Sequence, residues 1–236
     1  MGDAPSAKLA SVGLVAGWSF PPTVFDSLVR RLPGNEVVAF DWSTFSADWL
    51  GSGRQERADS LPAPAVWAGW SLGGSLLLEA VRQGSIRPAR LVLIHATPRF
   101  LEEDGWPGVS LEDWQGLRRA AGRRPLAAAT AFRRRFGLPD APASSERLAA
   151  IDGLDWLARL DLRRLLAAID VPVDIWLAPD DPLVPVDWPR HLDLPAHVRV
   201  QRFERGGHAE WLCHPDSLAR SLLRPLADDP VARSSG

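Results

Sequence analysis

The stretch "AVWAGWSLGGSLLLEA", residues 65–80, sets a single serine between glycines, after a short apolar run and before a helical one. A strand that runs straight into a helix at Ser71 forces a very tight turn. The residue at its apex takes a strained backbone angle, which is tolerated only if the residues two positions away lack a Cβ. Gly69 and Gly73 meet that requirement and complete the pattern G-x-S-x-G. Such an elbow lifts a serine Oγ above the carboxyl edge of a sheet, where it can act as a nucleophile. An ordinary glycine-rich turn can carry the same five letters, so the flanks decide. Residues 65–68 read as a buried strand and 75–81 as a helix, the context a nucleophile needs.

Working outward, apolar runs at 9–16, 36–40, 90–95, 173–178 and 198–203 read as further strands. Residues 23–32, 75–83, 188–192 and 215–226 read as helical. Mostly apolar strands separated by helices predict an α/β fold, a mostly parallel sheet of about six strands with helices on both faces. Residues 97–166 break the rhythm. They hold no clear strand, are rich in Arg, Ala and Leu, and turn at Pro107-Gly108, at Gly122 and at 139–142. They read as a helical cap inserted into a core made of residues 1–96 and 167–236. The final run, "DDPVARSSG", reads as a frayed tail.

Composition narrows the function. The 236 residues are 46% hydrophobic and 24% charged, which suits one soluble domain with a full core. A net charge of −2 gives no whole-chain attraction to nucleic acid or to an anionic membrane. Cys213 is the only cysteine, which excludes an internal disulfide and fits a reducing compartment. The first residues carry neither a basic nor a long apolar segment of a signal peptide, and no apolar run has the length of a membrane span. The expectation is a cytoplasmic monomer.

A serine hydroxyl needs a base to take its proton, and the base needs an orienting acid. In an open parallel sheet both should lie just past the carboxyl ends of later strands. Asp180 and Asp181 follow the run 173–178, and His208 follows 198–203 behind two glycines that allow a tight loop. Asp181 is favoured as the acid, with the other aspartate bonding its own turn. Of the remaining histidines, His191 and His197 read as surface residues and His214 as a helix start. His95 ends a strand beside the site, either lining a pocket or satisfying a local hydrogen bond. The transition state also needs two N–H donors for its oxyanion. One is the amide of Leu72, which follows the nucleophile, and the other the amide of Trp18, after the turn at Gly17. This chemistry needs no metal and no organic cofactor.

The order Ser, Asp, His is that of the α/β-hydrolases. The segments "GWSLGG", "AGWSFPPTVFDSL", "DDPLVP" and "GGHAEWLCHP" resemble the biotin-pathway pimeloyl-acyl carrier protein methyl ester carboxylesterases. "EDGWPGVSLEDWQGLRR" is similar to the entrance of that family's cap, and "LDLRRLLAAIDVPVDIWLAPDD" to its return to the sheet. The likeness runs over most of the chain from about Leu14. It implies that Ser71 is the nucleophile, Asp181 the acid and His208 the base. It implies further that Trp18 and Leu72 form the oxyanion hole and contact substrate, and that Phe132 lines the acyl channel. The implied reaction is hydrolysis of the methyl ester of pimeloyl-acyl carrier protein, with the carrier protein as partner. The same triad also serves a short-acyl carboxylesterase or thioesterase. A ligand-binding protein on this scaffold is a third reading, against which an intact triad argues.

Several departures stand out. Ala16-Gly17 replaces the usual His-Gly, and the N-terminus is too short for the usual leading hairpin. Only residues 51–64 bridge the gap where a helix should precede the elbow strand. Ala127 and Ala131 fall where the family's carrier-binding arginines stand. Arg118, Arg119, Arg123, Arg124, Arg133, Arg134 and Arg135 sit nearby instead, and Arg123, Arg124, Arg133 and Arg134 are the expected carrier contacts.

Overall fold

Alternating apolar runs and helical segments produce a six-stranded sheet in which every pairing is parallel. The computed structural model describes residues 11–51, 65–141 and 147–225. The strands are β1 (Val12–Val15), β2 (Val37–Phe40), β3 (Val66–Trp70), β4 (Arg90–Ile94), β5 (Val173–Leu177) and β6 (Val198–Arg202), in the spatial order β2-β1-β3-β4-β5-β6. All six match apolar runs of the sequence. Residues 1–10, 52–64 and the final eleven, which include the start of the first run, most of the link before β3 and the tail, lie outside the described residues.

The elbow strand β3 sits between β1 and β4 and is buried along its whole length. Because side chains alternate across a sheet, Trp67 faces one core and Val66, Ala68 and Trp70 the other. Trp67 meets Phe45 and Trp49 edge-on, each at 5.4 Å, and stacks on Phe40 at 6.0 Å. On the opposite face Trp70 packs against Phe20 at 4.6 Å and Trp211 at 5.5 Å. Aromatic pairs of this kind add about 0.5–1.5 kcal/mol each beyond the area they bury. The strand that aims the serine is thus braced from both sides.

After β1 a 3-10 turn (Pro22–Phe25) leads into α1 (Asp26–Val29). After β2 comes α2 (Trp42–Phe45), continued by a π-type turn (Ser46–Leu50) that the sequence reading does not anticipate. A four-residue helix is too short to show a period, and its signal is the cap. Asp41 accepts from the amides of Ser43 and Thr44, both at 2.9 Å. The elbow helix is α3 (Leu72–Arg82), and the last described helix is α8 (Pro215–Leu223). Between β4 and β5 lie α4 (Leu111–Arg123), α5 (Pro125–Arg135), α6 (Arg147–Arg159) and α7 (Arg163–Ala167), with isolated bridges in the loops that flank them and no strand among the described residues. Phe132 on α5 and Leu154 and Leu157 on α6 line a cavity together with Ser71, so these helices roof the carboxyl edge of the sheet. No helix among the described residues is long and apolar enough to cross a membrane.

Among the described glycines, the tightest approach to backbone is at Gly73. A Cβ there would run into the backbone carbonyl of Val15, so β1 itself would have to move. Gly73→Ala is therefore expected to destabilise the protein by about 3 kcal/mol, read as a fall in Tm. An unchanged Tm would mean that the close packing of α3 on β1 is not needed.

Candidate active site

The elbow is visible in the backbone. Ser71 has φ 55° and ψ −122°, a strained conformation for a residue with a Cβ. Its amide donates to Ile94 O at 2.9 Å, tying the apex to β4. Its carbonyl accepts from Gly74 N at 3.0 Å and Ser75 N at 3.3 Å, which starts α3. The serine therefore stands at the top of the sheet with its position fixed from both sides.

His208 arrives on the loop after β6. The Trp70 indole donates to its carbonyl at 2.9 Å, so the residue before the serine also holds the histidine. The ring is buried, and Nδ1 lies 2.8 Å from Asp181 Oδ2. Asp181 is anchored through its other oxygen, which accepts from the amides of Leu183 at 2.9 Å and Val184 at 3.0 Å. Asp180 points elsewhere. It exchanges bonds with Gly206, its amide donating to Gly206 O at 3.0 Å and its Oδ2 accepting from Gly206 N at 3.2 Å. Asp180 thus ties the β5 loop to the β6 loop, and Asp181 is the aspartate that meets His208.

Burial opposes ionisation of Asp181, yet the charge and hydrogen bond of His208, together with a hydrogen bond from His95, outweigh it and hold the carboxyl well below the usual range. An ionised carboxylate can only accept, so Nδ1 of His208 carries a proton, and in the neutral form of the ring Nε2 holds the lone pair. Ser71 and His208 line the same cavity of about 20 Å³, room for one small group. A serine, a base of the correct tautomer and a buried acid in this order can perform acyl transfer.

The β1 loop completes the site. A Cβ on Gly17 would come 3.1 Å from the Ser71 Cβ, so the loop passes directly over the serine. The amides of Trp18 and Leu72 are engaged in no backbone hydrogen bond among the described residues. The Trp18 indole is held by the cap, donating to Ala150 O at 2.9 Å and meeting Phe132 edge-on at 5.1 Å. Phe132 lines the serine cavity.

The cap arginines divide. Arg123, Arg124 and Arg134 are exposed. Arg133 is not, which corrects the expectation that it presents its charge at the surface. It is 5% exposed, donates to Ser19 O at 3.0 Å and to Ala141 O at 3.3 Å, and lies 5.8 Å from the Phe20 ring. Its place in α5 explains this: it falls four residues after Ala129 and three before Phe136, on the apolar stripe. The sequence reading also leaves open what His95 does. Its Nδ1 lies 3.0 Å from Asp181 Oδ2, the oxygen that His208 uses.

Known proteins resemble this chain in sequence and in fold. The profile of the alpha/beta hydrolase family matches residues 14–221, and the chain belongs to that family. Similar curated proteins include the pimeloyl-acyl-carrier protein methyl ester esterases of Xanthomonas campestris pv. campestris (strain B100) and Methylococcus capsulatus. The first is 34% identical, over 92% of this chain and 95% of that protein, and the second 29%, over 94% and 96%. Among solved structures, a hydrolase from Oleispira antarctica superimposes with a TM-score of 0.76 at 14% identity, covering 93% of this chain and 92% of its own. An esterase from Exiguobacterium antarcticum gives 0.71 at 19% identity, covering 93% and 94%. The chain is a carboxylic ester hydrolase of the α/β-hydrolase family.

Ser71→Ala is expected to lower ester turnover by roughly 10³-fold or more with the fold intact, and a fluorophosphonate should label the wild type but not the variant. Labelling of the variant would put the nucleophile elsewhere. Asp181→Asn should present the wrong imidazole tautomer and cut kcat heavily, whereas Asp180→Asn should cost far less. Equal losses would reject the assignment of the acid.

Stability should also depend on pH. Burial pushes the His95 imidazole below its ordinary 6.5, against the pull of Asp181. The unfolded chain therefore takes up a proton that the native state refuses, and stability is lost as pH falls below 6.5. Asp181 adds a second loss, complete only when the pH falls through its depressed native value, below 3.8. Tm should accordingly drop between about pH 7.5 and 5, and His95→Asn should flatten that part of the curve. A wild-type Tm that is level over this range would contradict the buried neutral imidazole.

Proposed function

We propose that the protein hydrolyses the methyl ester of a pimeloyl chain carried on acyl carrier protein. The observation that carries the reading is the shape of the space around Ser71. The cavity that holds the serine has room for one small group, of the size of a methyl ester's leaving methanol. It shares Phe100, Leu117, Phe132 and Leu183 with a groove of about 820 Å³ between α4, α5 and the β5 loop. A long acyl chain with a pantetheine arm needs this combination: a tight end at the nucleophile and a wide way out, which here has both apolar and polar lining. The names of the similar proteins support the same substrate.

In this reading Ser71 Oγ attacks the ester carbonyl while His208 Nε2 takes its proton. The Trp18 and Leu72 amides hold the oxyanion, and Asp181 steadies the imidazolium. Collapse of the tetrahedral species returns the proton to the departing methoxide and leaves the pimeloyl group on Ser71. Water, deprotonated by His208, then releases the free acid and restores the serine.

Exposed Arg123, Arg124 and Arg134 have no described carboxylate within ion-pair distance, and in this reading their charge is available to an acidic carrier. Such a field acts over about 8–10 Å at ordinary ionic strength and raises encounter rates. The test compares the carrier-bound methyl ester with p-nitrophenyl acetate and butyrate. Reversing Arg123 and Arg124 to Glu, or adding salt, should lower kcat/KM on the carrier substrate and leave the small esters nearly unchanged. If both substrate types respond alike, or the carrier ester is not turned over, the protein is a short-acyl esterase and the arginines are a solvated face.

A further inference from the structure

The triad carboxylate has a second imidazole on it. His95 follows β4 with φ 44°, in the left-handed region. Its side chain is wholly buried. Its Nδ1 lies 3.0 Å from the same Asp181 oxygen that His208 Nδ1 reaches at 2.8 Å. Phe203 stacks on the ring at 5.6 Å with 10° between the planes, which fixes its tilt. With the Leu183 and Val184 amides on Oδ1, the carboxylate accepts four hydrogen bonds and has no freedom to turn.

The proton positions follow from these partners. Asp181 can only accept, so both imidazoles present N–H from Nδ1. The Nε2 of His95 is buried without a partner among the described residues, and a second proton there would be an unsolvated donor. His95 is thus held as a neutral donor. The titratable groups that face it come from two loops: Asp181 after β5, and His208 and Glu210 after β6, with His214 beyond Phe203.

We propose that His95 is a positioning residue of the hydrolytic reaction, a fixed second donor that locks the Asp181 rotamer and draws off part of its charge. The inference rests on the reading of Ser71, His208 and Asp181 as a triad. Its chemical consequence has a definite sign. Donation by His95 weakens the pull of the carboxylate on the His208 imidazolium, so the free base persists to lower pH. Removing the donor strengthens that pull, and the protonated, inactive base should persist to higher pH.

The test uses two variants and one spectrum. His95→Ala removes the donor. His95→Asn keeps an N–H close to the place of Nδ1 and tolerates the positive φ. On an activated ester, His95→Ala should lower kcat by about tenfold, the equivalent of one hydrogen bond to a charged group, with KM little changed. The acid limb of its kcat/KM profile should move to higher pH, and His95→Asn should return both toward the wild type. A purely structural role for His95 would lower Tm without moving the acid limb.

Independently of substrate, the proton NMR spectrum of the wild type should contain two downfield imidazole N–H signals. One should be absent from His95→Asn and the other from His208→Asn. An unmoved acid limb in His95→Ala, or one such signal in the wild type, would overturn the proposal. The wild-type spectrum decides if His95→Ala does not fold. Retained turnover in Ser71→Ala would instead overturn the triad reading, while the two signals would still report the pair of bonds to Asp181.

Discussion

The backbone of one residue constrains the rest of this molecule. Ser71 can hold φ 55° only because glycines on either side let α3 fold back against β3 and β1 at contact distance. That approach puts β3 in the middle of the sheet, where neighbours on both sides complete its ladder. It also puts the ends of β1, β4, β5 and β6 around one point. The loops that leave those ends then bring Gly17, His95, Asp181 and His208 to the serine. Each lies at the carboxyl edge because parallel strands all end on the same side.

The electrostatics of the site follow from burial. A carboxylate taken out of water is costly unless its lone pairs are filled. Asp181 meets that demand with two backbone amides and two imidazoles, all supplied by loops that the sheet has already brought together. The same bonds that stabilise the charge also dictate the His208 tautomer. Folding and catalysis therefore ask the same thing of this residue, and the acid needs no further device to orient the base.

The sheet is legible in the sequence because its strands are short apolar runs, buried on both faces, and such runs stand out against amphipathic helices. The elbow is legible because its strain is met by glycines at fixed spacing. Asp181 and His208 follow from the rule that partners lie past later strand ends. What escapes is either too short to show a period or set by contacts distant in sequence. A four-residue helix such as α2 has no period to read, only its Asp41 cap. Arg133 carries a charge that composition assigns to solvent, and only the stripe of Ala129, Phe132 and Phe136 hints that it turns inward. His95 lies on a strand end in any reading, but its bond to Asp181 depends on how β4 and β5 are laid side by side.

The two bonds between roof and oxyanion loop bear on how such enzymes diversify. Trp18 reaches up to the Ala150 carbonyl, and Arg133 reaches down to that of Ser19. The amide expected to hold the oxyanion therefore sits on a loop clamped from above. The helices over the site are in this sense a keystone and not a detachable lid. An exchange of this segment with that of another hydrolase would remove the brace of the catalytic loop along with the old substrate preference. Grafted roofs would then have to bring an indole acceptor and a guanidinium of their own, which limits how freely evolution or engineering can shuffle them.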